Sequence, residues 1–155
     1  MSELGLASLP GNLSFNVSAN FLQDQSQPVT VGGAIFNFAG YAGASKLRTN
    51  TALGYSWADN RVSLNWLYRK GTDGLLTTNV PSPTIAGYPS NSLFNLNGGT
   101  RFGPVAVSAS ISNLFNKKPD VGGWFVADTT GGFGTFDPYG DLVGRRYSVS
   151  LTMQF

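Results

Sequence analysis

The chain has 155 residues, a net charge of +2, no cysteine, no histidine and two methionines. That length suits one domain. The composition excludes disulfides, thiol chemistry and histidine-based metal or acid–base sites, and the charge is too small to argue for nucleic acid. Charged residues are only 12% of the chain, about half the usual share of a soluble domain. The polarity comes instead from Ser, Thr, Asn and Gly, which disfavour helix and suit strands with neutral polar faces.

No stretch approaches the roughly 18 apolar residues of a membrane helix. The opening "MSELGLASLPGN" lacks a basic region followed by an apolar run, so it does not read as a signal peptide. Strand-length alternation then begins. Residues 12–22 put Leu13, Phe15, Val17, Ala19 and Phe21 on one face, with Asn12, Ser14, Asn16, Ser18 and Asn20 on the other. Residues 47–57 set Leu47, Thr49, Thr51, Leu53, Tyr55 and Trp57 against Arg48, Asn50, Ala52, Gly54 and Ser56. Residues 61–70 set Val62, Leu64, Trp66 and Tyr68 against Ser63, Asn65, Leu67 and Arg69. Residues 93–102 set Phe94, Leu96 and Phe102 against Asn95, Asn97 and Arg101. Residues 105–115 set Val105, Val107, Ala109, Ile111 and Phe115 against Ser108, Ser110 and Ser112. The last stretch, 145–155, sets Tyr147, Val149, Leu151, Met153 and Phe155 against Arg146, Ser148, Ser150, Thr152 and Gln154. A period of two over such lengths predicts strands with two unlike faces.

The connections alternate too. "ADN" and Gly103-Pro104 are tight turns. The links 23–46, 71–92 and 116–144 are long and rich in Gly, Pro, Asp, Asn and Thr. Falling on every second connection, they project from one end of the sheet. The expected fold is an all-β, antiparallel up-and-down meander of about six long strands, forming one partial barrel domain that does not close on its own.

Two architectures fit this alternation. A soluble or peripheral β-barrel ligand-binding module would turn its apolar face inward and wet its Ser/Asn face. A transmembrane barrel would do the reverse. Three features favour the second. The polar faces lack the Lys and Glu that usually protect soluble sheets. At about 3.4 Å per residue and a tilt of about 40°, a strand of this length rises about 26 Å, the height of an outer-membrane apolar band. Aromatics also gather at the two strand ends on the apolar face. Tyr55, Trp57, Phe102 and Phe155 lie at the short-turn end, and Phe21, Trp66, Tyr68, Phe94, Phe115 and Tyr147 at the long-loop end. Two such girdles suit the two interfaces of a membrane. In this orientation the polar face lines a lumen, short turns face the periplasm and long loops face outward.

Two motifs carry a resemblance. "ISNLFNKKP" at 111–119, followed by an aromatic, Gly- and Asp-rich loop and "GRRYSVSLTMQF" at 144–155, resembles the C-terminus of TonB-dependent outer-membrane receptors. "LPGNLSFNVSANF" resembles an upstream hairpin of such a barrel. The family fold is a plugged barrel of about 22 strands. The chain departs from it: it has six strands, no signal peptide, no N-terminal plug and no segment for the energy-coupling partner. What remains resembles about the last quarter of the barrel, so a C-terminal fragment or truncated reading frame is expected, unable by itself to perform gated uptake. The resemblance implies energy-coupled uptake of a scarce nutrient such as an iron chelate, vitamin or oligosaccharide. It also implies outer-membrane lipid, the barrel-assembly machinery, and the plug and remaining strands of a parent barrel as partners, with TonB coupling only through the missing N-terminal region. "YSVSLTMQF", with the ridge Tyr147, Val149, Leu151, Met153 and Phe155, is then the address read during assembly. A third reading is an outer-membrane structural or adhesion protein built from several such chains.

No enzyme site and no cofactor is expected. Asp137 and Asp141 read as loop solvation and turn formers rather than an acid–base pair. "GGFGTF" at 131–136 lacks the Lys-Ser/Thr of a phosphate loop. Parity puts Arg48, Arg69 and Arg146 on the lumen side near the outer mouth, to meet an anionic ligand or to pair with loop or plug carboxylates. Lys70 and Arg145 fall on the lipid side at that end, either as anchors to outer-leaflet phosphates or as uncommitted exposed charges. The loop aromatics Trp124, Phe125, Phe133, Phe136 and Tyr139 are candidates for stacking on a ligand or for packing the loop on itself.

Overall fold

The computed structural model describes residues 10–28, 32–41, 44–73, 87–122, 135–136 and 140–154, with backbone alone at 121–122 and 135–136. Every regular element among them is a strand: β1 (Asn12–Phe21), β2 (Ser26–Pro28), β3 (Ile35–Asn37), β4 (Leu47–Trp57), β5 (Asn60–Arg69), β6 (Asn91–Phe102), β7 (Val105–Ser112), β8 (Val121–Gly122), β9 (Thr135–Phe136) and β10 (Arg146–Met153). One six-stranded antiparallel sheet runs in the order β1-β4-β5-β6-β7-β10. The meander is the expected one, with β1 and β10 at its two edges.

The two-residue turns fix the register. Trp57 pairs with Asn60 around Ala58-Asp59, and Phe102 pairs with Val105 around Gly103-Pro104. Gly103 takes a positive φ of 56°, which glycine adopts without steric cost. Ala58 takes 46°, where a Cβ is strained. From these turns the register carries one row across all six strands, Asn12–Ser56–Arg61–Gly99–Ser108–Ser150. Directly opposed residues share a face, so the polar residues of the separate strands form one polar surface. The apolar residues form another, as in the row Phe15–Leu53–Leu64–Leu96–Ile111–Tyr147.

The structure moves several expected boundaries. The strand expected over 105–115 stops at Ser112 because Asn113 turns to a φ of 53°. β6 begins at Asn91, two residues before the alternation becomes visible. Links 23–46 and 116–144 are not wholly irregular: they carry the small hairpins β2–β3 and β8–β9.

Burial is concentrated away from the middle of the sheet. Among the described residues the buried side chains are Ala39, Ala44 and Tyr88, with the polar Ser45, Arg69, Asn91 and Asn113. All lie where the long links meet the strands. Ser45 Oγ donates to the Lys70 carbonyl at 2.7 Å. Asp73 N donates to Gly40 O at 2.7 Å, and Thr72 N to Tyr88 O at 2.8 Å. These bonds fold the ends of the links back onto β4 and β5. By contrast, every residue of β1 and β10 is exposed.

Candidate functional site

The two faces of the sheet differ in shape as well as polarity. A single trough of about 530 Å³ touches all six strands, and most of its lining belongs to the polar face: Asn12 and Ser14 on β1, Ser56 on β4, Ser63 on β5, Asn97 on β6, Ser108 on β7 and Ser150 on β10. One cavity reaches both edges only if the sheet curls toward that face. Small side chains permit the curl, since a concave face leaves each residue less room. At Gly54 a Cβ would collide with Ser14 Oγ, and Ser14 Oγ instead donates to Gly54 O at 3.3 Å. Ser110 and Ser148 hydroxyls bond across β7 and β10 at 2.6 Å.

The opposite face is convex and apolar. Phe15 is 69% exposed, Val149 72% and Leu151 72%. Aromatic rings band it at both ends. At the long-loop end Trp66 stacks on Phe94 with centroids 5.9 Å apart, and Phe94 meets Phe115 edge-on at 5.2 Å. Trp66 Nε1 donates to Ser92 Oγ at 3.2 Å, so the indole satisfies its polar atom without leaving the apolar face. At the short-turn end Tyr55 stacks on Trp57 at 5.1 Å. Of the girdles read from parity, Tyr55 and Trp57 at one end and Trp66, Tyr68, Phe94 and Phe115 at the other are contacting rings.

The two sequence motifs meet at the long-loop end. Asn113 is the most buried side chain described, at 2% exposure. Its Oδ1 accepts from Lys117 N and its Nδ2 donates to Lys117 O, both at 2.8 Å. One amide thus replaces both ladder partners of a backbone that has just left the sheet. Its own N–H donates to Asn95 Oδ1 at 3.0 Å. Asn116 then reaches the other motif, its Oδ1 accepting from Arg145 N at 3.0 Å. Gly144, with a φ of 81°, lies so close that a Cβ there would stand 3.1 Å from the same oxygen. "NLFN" and "GRR" are two halves of one clamp joining β7 to β10.

The expected site residues are placed unevenly. Arg48 and Arg69 are direct register partners and line a hollow of about 270 Å³ with Asn20, Asn50, Leu67 and Asn91. Arg69 is buried and donates to Pro89 O at 3.1 Å and Lys70 O at 3.3 Å. It thus ties the link before β6 to the end of β5. Arg146 does not share their hollow; it pairs with Asp141 at 2.9 Å. The same Asp141 Oδ1 accepts from Val143 N and Gly144 N, so this carboxylate shapes the turn into β10. Arg145 Nη1 donates to Tyr147 Oη at 3.2 Å on the convex side, and Lys70 is exposed at the same end. Tyr147, Val149, Leu151 and Met153 form the exposed ridge of β10. Trp124, Phe125, Phe133, Asp137, Tyr139 and Phe155, and the side chain of Phe136, lie outside what is described.

Arg61 and Gly99 were not singled out from the sequence, yet both sit mid-row on the concave face. Parity alone supplies the signal, since Arg61 alternates with Val62. No family model matches this chain, and no curated protein or solved structure matches it.

Proposed function

We propose that the sheet is part of the wall of a bacterial outer-membrane β-barrel, its convex face in lipid and its concave face toward the lumen. The observation that carries this reading is the inverted partition of the sheet: large apolar and aromatic side chains on the outside of the curve are exposed on β1, β4, β5 and β10 and largely half-buried on β6 and β7, and Ser, Asn and Gly line the inside. A soluble barrel would bury the first set. An exposed apolar surface this wide needs an apolar partner, and the aromatic bands at both ends suit a lipid slab. Six strands are fewer than the about eight of the smallest transmembrane barrels, so β1 and β10 pair with further strands of the same wall. Open edges are not tolerated in hydrocarbon.

The paired motifs at 111–119 and 144–155 support assigning that wall to a TonB-dependent receptor for a scarce nutrient. In that reading the long links contribute to ligand capture outside, while gating belongs to a plug and its inner-membrane partner. The β10 ridge is the surface read by the assembly machinery, through strand addition and side-chain pockets.

The chain has no cysteine, so single thiols can be placed cleanly for a test. Fluorophores on Leu151→Cys and Phe15→Cys, in protein refolded into lipid bilayers, are expected to be quenched by lipid-borne quenchers. Those on Ser150→Cys and Ser14→Cys are expected to be quenched by iodide from water. Equal iodide quenching at both parities would sink the membrane reading.

A further inference from the structure

The trough on the concave face holds one charged side chain. Its lining is otherwise Ser, Asn, Gly, Ala, Val and Tyr, with no carboxylate among the described residues. That side chain is Arg61. Its register partner on β6 is Gly99, and the partner of Gly99 on β7 is Ser108. A Cβ at Gly99 would stand 3.0 Å from Arg61 Nε and 3.6 Å from Cγ. The arginine side chain therefore lies against the strand position that has no side chain; Gly99 itself lines an adjoining hollow of about 420 Å³, which shares Ser56, Arg61 and Ser108 with the trough and also holds Asp59 and Arg101. Arg61 is exposed, so its guanidinium is open to a solute entering from the concave side. The position is distinct from the hollow of Arg48 and Arg69, which opens at the other end of β4 and β5.

We propose that this trough is a binding site for a small polar solute carrying an oxyanion, a carboxylate or a phosphate, which pairs with Arg61. The guanidinium presents a planar fork of donors matched to two oxygens of one anion. Ser56, Ser63, Asn97 and Ser108 surround it with hydroxyl and amide groups that bond the remainder of the solute. The volume of about 530 Å³ falls in the range of small-molecule sites. Gly99 is the shaping residue, because a side chain there presses on the arginine, whose Nε must then give way by a few tenths of an ångström. The proposal rests on the same curl toward the polar face that the lumen reading uses; the quenching test above does not involve Arg61, so failure of one reading is told apart from failure of the other.

The refolded chain is titrated by calorimetry with inorganic phosphate and, separately, with succinate, while the Arg61 Nε–Hε resonance is followed by NMR. Saturable binding of either anion with a shift of that resonance is expected, and the tighter of the two identifies the oxyanion class. Arg61→Gln is expected to weaken binding about tenfold or more, the loss of a charge-assisted bond. Arg61→Lys should retain part of the affinity. Gly99→Ala, which keeps the charge but crowds Nε, is expected to weaken binding to a lesser degree. Lys70→Gln, at the other end and on the opposite face, should leave it unchanged. Binding equally strong in Arg61→Gln, an equal loss in Lys70→Gln, or no saturable binding of either anion would overturn the proposal.

Discussion

The two ends of the sheet are held in different ways. At the short-turn end β4 joins β5 through Ala58-Asp59 and β6 joins β7 through Gly103-Pro104, and no described side chain there is buried. At the long-loop end Ala39, Ala44 and Tyr88 are buried together with Ser45, Arg69, Asn91 and Asn113. Side-chain amides, a hydroxyl and a guanidinium satisfy the backbone there. One end is thus specified by turn geometry, the other by a small polar core. Between them the strands have ladder hydrogen bonds but little burial; in the proposed membrane setting, lipid on the convex face supplies what a core would.

The largest test of that contrast lies in the middle of the sheet. In bilayers, Leu151→Arg is expected to cost about 2–4 kcal/mol, because it places a charge on the convex side of β10, which the membrane reading puts in lipid. Ser150→Arg should cost far less, one residue away on the concave side. Denaturant unfolding from lipid vesicles measures both, and equal losses would mean that the faces are not differently solvated.

Next in size is the clamp at the long-loop end. Asn113→Ala removes two hydrogen bonds from a side chain 2% exposed and keeps a φ of 53° with no side-chain compensation. A loss of about 2 kcal/mol is expected. Hydrogen exchange should quicken at Lys117 and Leu114 while the amide of Asn60 is unchanged. Equal quickening at both ends would show that the ends are one cooperative unit.

The smallest effect is a gain at the short-turn end. Ala58→Gly relieves a positive φ of 46°, and the added freedom of the unfolded chain offsets part of that relief. A stabilisation of about 0.5 kcal/mol is expected, read as a raised denaturation midpoint. A loss would show that the turn needs the alanine methyl.

Much of this was legible because a strand advertises its faces every second residue. Leu13 to Phe21 and Tyr147 to Met153 could be assigned to one side without coordinates, and the tight turns at Ala58-Asp59 and Gly103-Pro104 fixed which strands are neighbours. Asn113 was less legible. It puts a polar residue at an apolar-parity position, a break that a longer strand could absorb, and only its turned backbone shows that β7 has ended. Arg69 and Arg146 had the expected parity, but parity names a face and not a partner. Pro89 and Asp141 reach them from links whose path the alternation does not encode. Arg61 was not legible as a neighbour of Gly99, a residue far away in sequence and adjacent only through register.

The sequence by itself determined that the chain is a meander of long two-faced strands, because period-two patterning and turn chemistry are local. Only the tertiary structure decided that the sheet curls toward its Ser/Asn/Gly face, that Arg61 lines that curve and lies against Gly99, and that Asn116 joins the two motifs. Curvature and cross-strand contact depend on how much room opposing side chains leave one another, a property of pairs that no single strand contains.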